Sequence, residues 1–141
     1  MIEINNTTNF AINEKNFSTV AKKVLKGENR ELETISLAFV NKEEIKKLNK
    51  KFRKKNKPTD VLSFELKESF GLSEGNKYLG EIIICPEIVR ENAKKYKVSA
   101  KSEMQKVFVH GILHLCGYDH EKSAAEEARM EAKQNFYLSK I

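Results

Sequence analysis

The chain has little with which to staple or divide itself. Its 141 residues include two cysteines, two prolines, six glycines and no tryptophan. Cys85 and Cys116 form no C-x-x-C pair, so no disulfide framework is encoded and the thiols suit a reducing cytosol. Nowhere do eighteen apolar residues occur in succession, and Met1–Asn6 lacks the basic head and apolar run of a leader. A soluble, cytoplasmic protein with no membrane partner is therefore expected. Repeats, low-complexity tracts and long linkers are also missing, so residues 1–141 read as a single domain able to bury about two-thirds of its unfolded surface. Neither charge sign dominates strongly. The net charge of +6 and pI near 9.2 permit a polyanionic partner without requiring one.

What is present alternates short strand-like with longer helix-like patterns. Met1–Ile4, Thr34–Val40, Val61–Phe64 and Leu79–Cys85 are rich in strand formers. Helical spacing runs from Asn13 to a stop expected at Gly27, with Phe17, Val20, Ala21, Val24 and Leu25 on one face. A second helix starts at the cap Asn41 and carries Ile45, Leu48 and Phe52 as a thin apolar seam. A third opens at Pro86, with Ile88, Val89, Ala93 and Tyr96 on its apolar face. Ser99 caps a fourth, in which Glu103 is a first-turn acid. A fifth, Ser123–Leu138, should pack on the fourth through Ala128, Ala132, Phe136 and Tyr137. The expected class is α+β: a small mixed sheet of about four strands with about five helices, a metal site lying on a buried helix and the turn after it. Strand order is not legible. Residues Lys67 to Tyr78 read as a loop.

All three histidines fall within eleven residues, His110-Gly-Ile-Leu-His114-Leu-Cys-Gly117-Tyr-Asp-His120. On a helix His110 and His114 share one face, about 5–6 Å apart, and Gly117 supplies a left-handed stop that returns His120 toward them. Unpartnered imidazoles on so apolar a helix would be costly, and a metal removes that cost. Three nitrogen ligands leave a tetrahedral position open, the mark of catalytic rather than structural zinc, with one ion per chain. Cys116, two residues past His114, points off that face and reads as a packed thiol.

The spacing matches H-E-x-x-H-x-x-G-x-x-H of the metzincin proteases in every slot but one. Gly111 stands where those enzymes place the glutamate that serves as general base, so peptide hydrolysis is disfavoured unless Glu81 or Asp119 substitutes. Both carboxylates read better as groups supporting the ligands. Phosphodiester cleavage asks less: metal-activated hydroxide to attack, and a cation to hold the phosphate's charge. Cations are close in sequence. Lys50, Lys51, Arg53, Lys54, Lys55 and Lys57 lead into the rigid turn Lys57-Pro58-Thr59-Asp60, and the lysines predict salt-sensitive, largely sequence-independent binding to a phosphate backbone.

The histidine signature, together with Leu48-Asn49, Arg53, Pro58-Thr59-Asp60-Val61-Leu62-Ser63-Phe64 and Leu79-Gly80-Glu81-Ile82, resembles the YbeY family of bacterial metal-dependent endoribonucleases. The likeness runs from about residue 35 to His120 and departs where the family continues S-F-P, since Glu65 follows Phe64 here. The resemblance implies a zinc hydrolase for single-stranded RNA that matures the 3′ end of 16S ribosomal RNA and serves ribosome quality control, with the small ribosomal subunit or its assembly factors as partners. It implies His110, His114 and His120 as ligands, with His114 and Arg53 at the catalytic centre, Arg53 binding phosphate. The alternatives are a zinc metalloprotease-like hydrolase, or a non-catalytic ribosome-associated factor whose metal only organises the fold. Oligomeric state is not encoded legibly.

Overall fold

A computed structural model describes residues 2–65, 78–119 and 121–141. In chain order they form β1 (Ile2–Asn6), α1 (Glu14–Gly27), β2 (Thr34–Phe39), α2 (Lys42–Arg53), β3 (Val61–Glu65), β4 (Tyr78–Ile84), α3 (Pro86–Tyr96), α4 (Ala100–Leu115) and α5 (Ala124–Leu138). The sheet order is β1-β2-β4-β3, with β1, β2 and β4 parallel and β3 antiparallel to β4. The α+β class with four strands and five helices thus matches the expectation. Tyr78 opens β4 rather than closing the preceding loop, and the rest of that loop, 67–77, lies outside the described residues. No helix among the described residues is long and apolar enough to cross a membrane.

Strand alternation divides the core in two. Ile35, Leu37 and Phe39 of β2 and Ile82 and Ile84 of β4 face α1 and α4, where they join Phe17, Val24, Phe108, Val109, Ile112 and Leu113. Phe17 meets Phe39 and Phe108 edge-on, with centroids 5.2 and 5.1 Å away. Each such side chain removed from water contributes roughly 1.5–3 kcal/mol, so α4 is held by many of the protein's strongest contacts. The opposite face is thinner. There Ile45 of α2 covers Val40, Leu62, Ile83 and Cys85, with Leu48 and Phe64 at the margin.

Several local readings change. α1 ends at Gly27 as expected, but the left-handed conformation belongs to Asn29, at φ 61°, whose N–H bonds Lys26 O while Arg30 N–H bonds Leu25 O. Gly27 is instead small because the Tyr137 ring packs on it, its Cε1 lying 2.6 Å from where a Cβ would sit. On α2 the buried residue beside Ile45 is Asn49, while Phe52 is 51% exposed. Asn49 escapes the usual cost of polar burial by donating from Nδ2 to Lys57 O at 2.9 Å, which ties the basic loop to the helix. On α5 the inward stripe is Met130, Gln134 and Tyr137; Ala128, Ala132 and Phe136 are exposed. Tyr96 of α3 is likewise exposed, while Glu103 stands in the first turn of α4 as expected and is buried there. Gly80 marks both a bulge and a close approach. Register shifts opposite it, its φ is +152°, and a Cβ there would collide with Phe64 O and meet Leu115 Cδ2 at 2.8 Å.

Candidate functional site

The site lies along the outer edge of β3, where the C-terminal ends of two helices from opposite faces of the sheet meet. From one face, α4 brings His110 and His114, their ring centroids 5.6 Å apart, within the range expected for one helical turn. From the other, α2 ends at Arg53, which reaches over the strand and donates from Nη2 to Ser63 O at 2.7 Å. Lys54 stops α2 in the left-handed conformation, φ 59°, and its N–H returns to Lys50 O. The chain then turns toward β3, carrying Lys55 and Lys57 with it.

Two lobes of one cleft result. The larger, about 780 Å³, is lined by His110, His114, Arg53, Lys55, Lys57, Asp60, Asp119 and Glu121 among others. The smaller, about 520 Å³, has Phe64, Glu65, Gly117, Tyr118 and Lys122 in its wall. Arg53, Ser63, His114 and Asp119 line both. So Arg53 and His114, which the sequence separates by sixty residues, stand at the junction. Lys50, Lys51 and Lys54 line neither lobe; Lys51 Nζ lies 5.2 Å from the Phe52 ring centroid instead. Glu81 is not in the walls either. It pairs with Phe64 across β3 and β4, on the sheet face away from α4, and burial raises its pKa. Asp119 is at the junction, where its Oδ1 accepts from Glu121 N–H at 2.9 Å.

His110 has a partner that the sequence did not advertise. Its Nδ1 lies 2.9 Å from Oε1 of Gln134, on α5. A carbonyl oxygen can only accept, so Nδ1 donates to it, and in the neutral ring this leaves the Nε2 lone pair for a metal. The donor chemistry of the pair therefore suits a borderline cation such as zinc. Among the described residues no third histidine, cysteine or acid completes a set of three with them. The expected third ligand, His120, lies outside the described residues. Cys116 is no substitute: burial pushes its thiol up to about 12, keeping it protonated and a poor ligand.

A family model described as endoribonuclease YbeY matches residues 3–141. The chain belongs to the endoribonuclease YbeY family. A curated relative of that name from Aquifex aeolicus is 43% identical over 107 residues, covering 76% of this chain and 69% of its own length. Another, from Thermotoga neapolitana, is 42% identical over 106 residues, covering 75% and 66%. A solution structure of a Thermotoga maritima protein superposes with a TM-score of 0.69 at 35% identity, covering 98% of this chain and 87% of that one.

Two features show how this YbeY-family site is built. Gly111 is buried against the sheet, and a Cβ on it would meet Ile82 Cγ2 at 3.0 Å and Ser63 Oγ at 3.3 Å. The slot that holds a general base in metzincins is thus a close-packing contact between α4 and the β3–β4 pair, where even a Cβ would press on its neighbours. Behind the site, α4 ends in a paired set of bonds, Gly117 N–H to His114 O at 3.0 Å and Tyr118 N–H to Leu113 O at 3.1 Å. Gly117 takes φ +103°, as the stop required. The Tyr118 hydroxyl donates to Glu28 Oε1 at 2.7 Å, and Tyr137 donates to the other oxygen, with Lys133 Nζ 3.3 Å from it. Burial alone would raise the Glu28 pKa, but these hydroxyls and the ammonium outweigh it and hold the carboxyl below its usual range. One carboxylate thereby joins the end of α1, the turn after α4, and α5.

Proposed function

We propose that this protein is a metal-dependent endoribonuclease that cleaves single-stranded RNA, with one zinc ion per chain held by His110, His114 and His120. We assign it the maturation of the 16S ribosomal RNA 3′ end and ribosome quality control, with the small ribosomal subunit or its assembly factors as partners. The observation that carries this reading is the meeting of Arg53 with the His110–His114 pair across the edge of β3.

An ion held by His110, His114 and His120 would supply Lewis acidity. The protein's own groups do the rest. Arg53 spends one N–H on Ser63 O and, among the described residues, forms no ion pair. Its other guanidinium N–H groups and its full charge are left for phosphoryl oxygens, on which negative charge grows as the bond to the leaving oxygen lengthens. Gln134 holds His110 in the liganding tautomer. Lys55 and Lys57 line the larger lobe and fit a backbone approaching the junction, with Lys50, Lys51 and Lys54 contributing longer-range attraction. Asp60, Asp119 and Glu121 stand in the same lobe, so that end of the cleft is not uniformly basic. Acids beside an imidazole pair suit a bound cation better than bare RNA. Because the cleft continues on both sides of Arg53 and His114, a strand can pass through rather than end there, which suits internal cleavage.

The test is cleavage of a labelled single-stranded RNA by metal-quantified protein, comparing wild type with folded His114→Ala and Arg53→Ala at matched purity. Loss of cleavage in both variants is expected. Equal behaviour of all three preparations would instead favour a non-catalytic ribosome-associated role.

A further inference from the structure

We propose that Phe52 and Phe64 form a stacking platform for an unpaired base of the substrate, beside the phosphate held by Arg53. This rests on the nuclease reading and gives it a subsite. Phe52, at the end of α2, is 51% exposed, and its ring meets that of Phe64 edge-on, with centroids 5.2 Å apart and planes at 64°. Phe64 stands in the wall of the smaller lobe with His114, and the Arg53 guanidinium carbon lies 5.4 Å from its ring centroid. A continuous line thus runs from an open aromatic surface to the cation at the junction.

Exposure is not the argument, because Tyr96 at 54% and Phe136 at 52% are equally open. Those two lie on α3 and α5, and neither they nor an aromatic neighbour found for them among the described residues stands in the cleft wall. Phe52 differs in being continuous with it. The occupant follows from charge: Lys51 and Arg53 flank the ring in sequence, and Lys51 Nζ hovers 5.2 Å from its centroid, an arrangement complementary to a nucleotide rather than to an apolar peptide. A base in a duplex has its faces hidden by neighbours, whereas an unpaired base offers one to an aromatic ring. The platform therefore gives preference for single strands a physical source.

The experiment is binding of the full chain to a fluorescent single-stranded RNA, read faster than cleavage at fixed salt, and to a series in which one nucleotide at a time lacks its base. Wild type should lose about tenfold in affinity when the base is missing at one position, within the range measured for single stacking contacts. Phe52→Leu, which keeps apolar bulk but no ring, and Phe52→Ala should lose about as much on intact RNA and nothing further at that position. Phe52→Trp should bind as wild type, and the salt dependence should be the same for all. Equal penalties along the series in wild type and Phe52→Leu would overturn the platform and leave the nuclease reading standing. Failure of wild type to bind any of these RNAs would overturn both.

Discussion

The two faces of the sheet do different work. Against the α4 face, large apolar side chains interlock, and the histidines ride on a helix that has almost nowhere to move. Against the α2 face, Ile45 and a few neighbours secure a helix whose exposed surface is largely lysine, and Arg53 is held chiefly by one bond to a backbone carbonyl. The proposed function fits that division: metal ligands tolerate little displacement and suit the rigid side, whereas a polymer that must enter, slide and leave suits contacts on the lightly built side. The cleft exists because β3 is an edge strand and both helices end beside it.

That division can be broken first from the rigid side. Gly111→Glu forces a charged side chain into the contact with Ile82 and Ser63 and should cost about 3 kcal/mol or more in denaturant unfolding, while Gly111→Ala, where better helix propensity offsets a tight contact, should stay within about 1 kcal/mol. If the glutamate variant folds normally, α4 is less constrained than its packing indicates. The light side predicts the opposite pairing of effects. Arg53→Ala should lower the cleavage rate about 100- to 1,000-fold while changing stability by no more than about 0.5 kcal/mol, and Arg53→Lys should not restore it, because an ammonium cannot hold Ser63 O and phosphate in one fork.

Glu28 joins the turn after α4 to both terminal helices, and Glu28→Gln should destabilise by about 1–2 kcal/mol at neutral pH. Since folding lowers the pKa of this carboxyl, its contribution is present above the ordinary carboxylate value near 4 and is lost as pH falls through the lower, folded value. The difference between wild type and variant should therefore shrink in acid, as urea titrations from pH 7 to pH 3 would reveal. Gln134→Leu removes the acceptor for His110 Nδ1 and should weaken zinc binding about tenfold in a competition with a chelator, with Gln134→Glu retaining it. The smallest expected effect is on salt dependence: Lys57→Ala should reduce the slope of log affinity against log salt by about one phosphate contact, with stability unchanged.

Much of this was legible before folding. The fourth helix, its capping serine and its glycine stop follow from local chemistry, since Ser99 accepts from Ser102 N–H and Gly117 takes the positive φ that side chains resist. The 110/114 pair followed from helical period alone. The α5 stripe was misread because alanine spacing stands for burial only when no polar residue has a buried partner, and Gln134 has one on another helix. Phe52 was misread for a related reason: periodicity says which residues share a face, not whether anything covers the end of it.

By itself, then, the sequence determined the elements, the histidine pair and the family likeness, all of which rest on contacts within a few residues or on motifs read as strings. Tertiary structure alone decided that β3 is the edge, that Arg53 and His114 line one cleft beside it, that Gly111 packs close against Ile82 and Ser63, and that Glu28 and Gln134 brace the site from behind. Those facts depend on pairs tens of residues apart, for which one sequence carries no periodic signal.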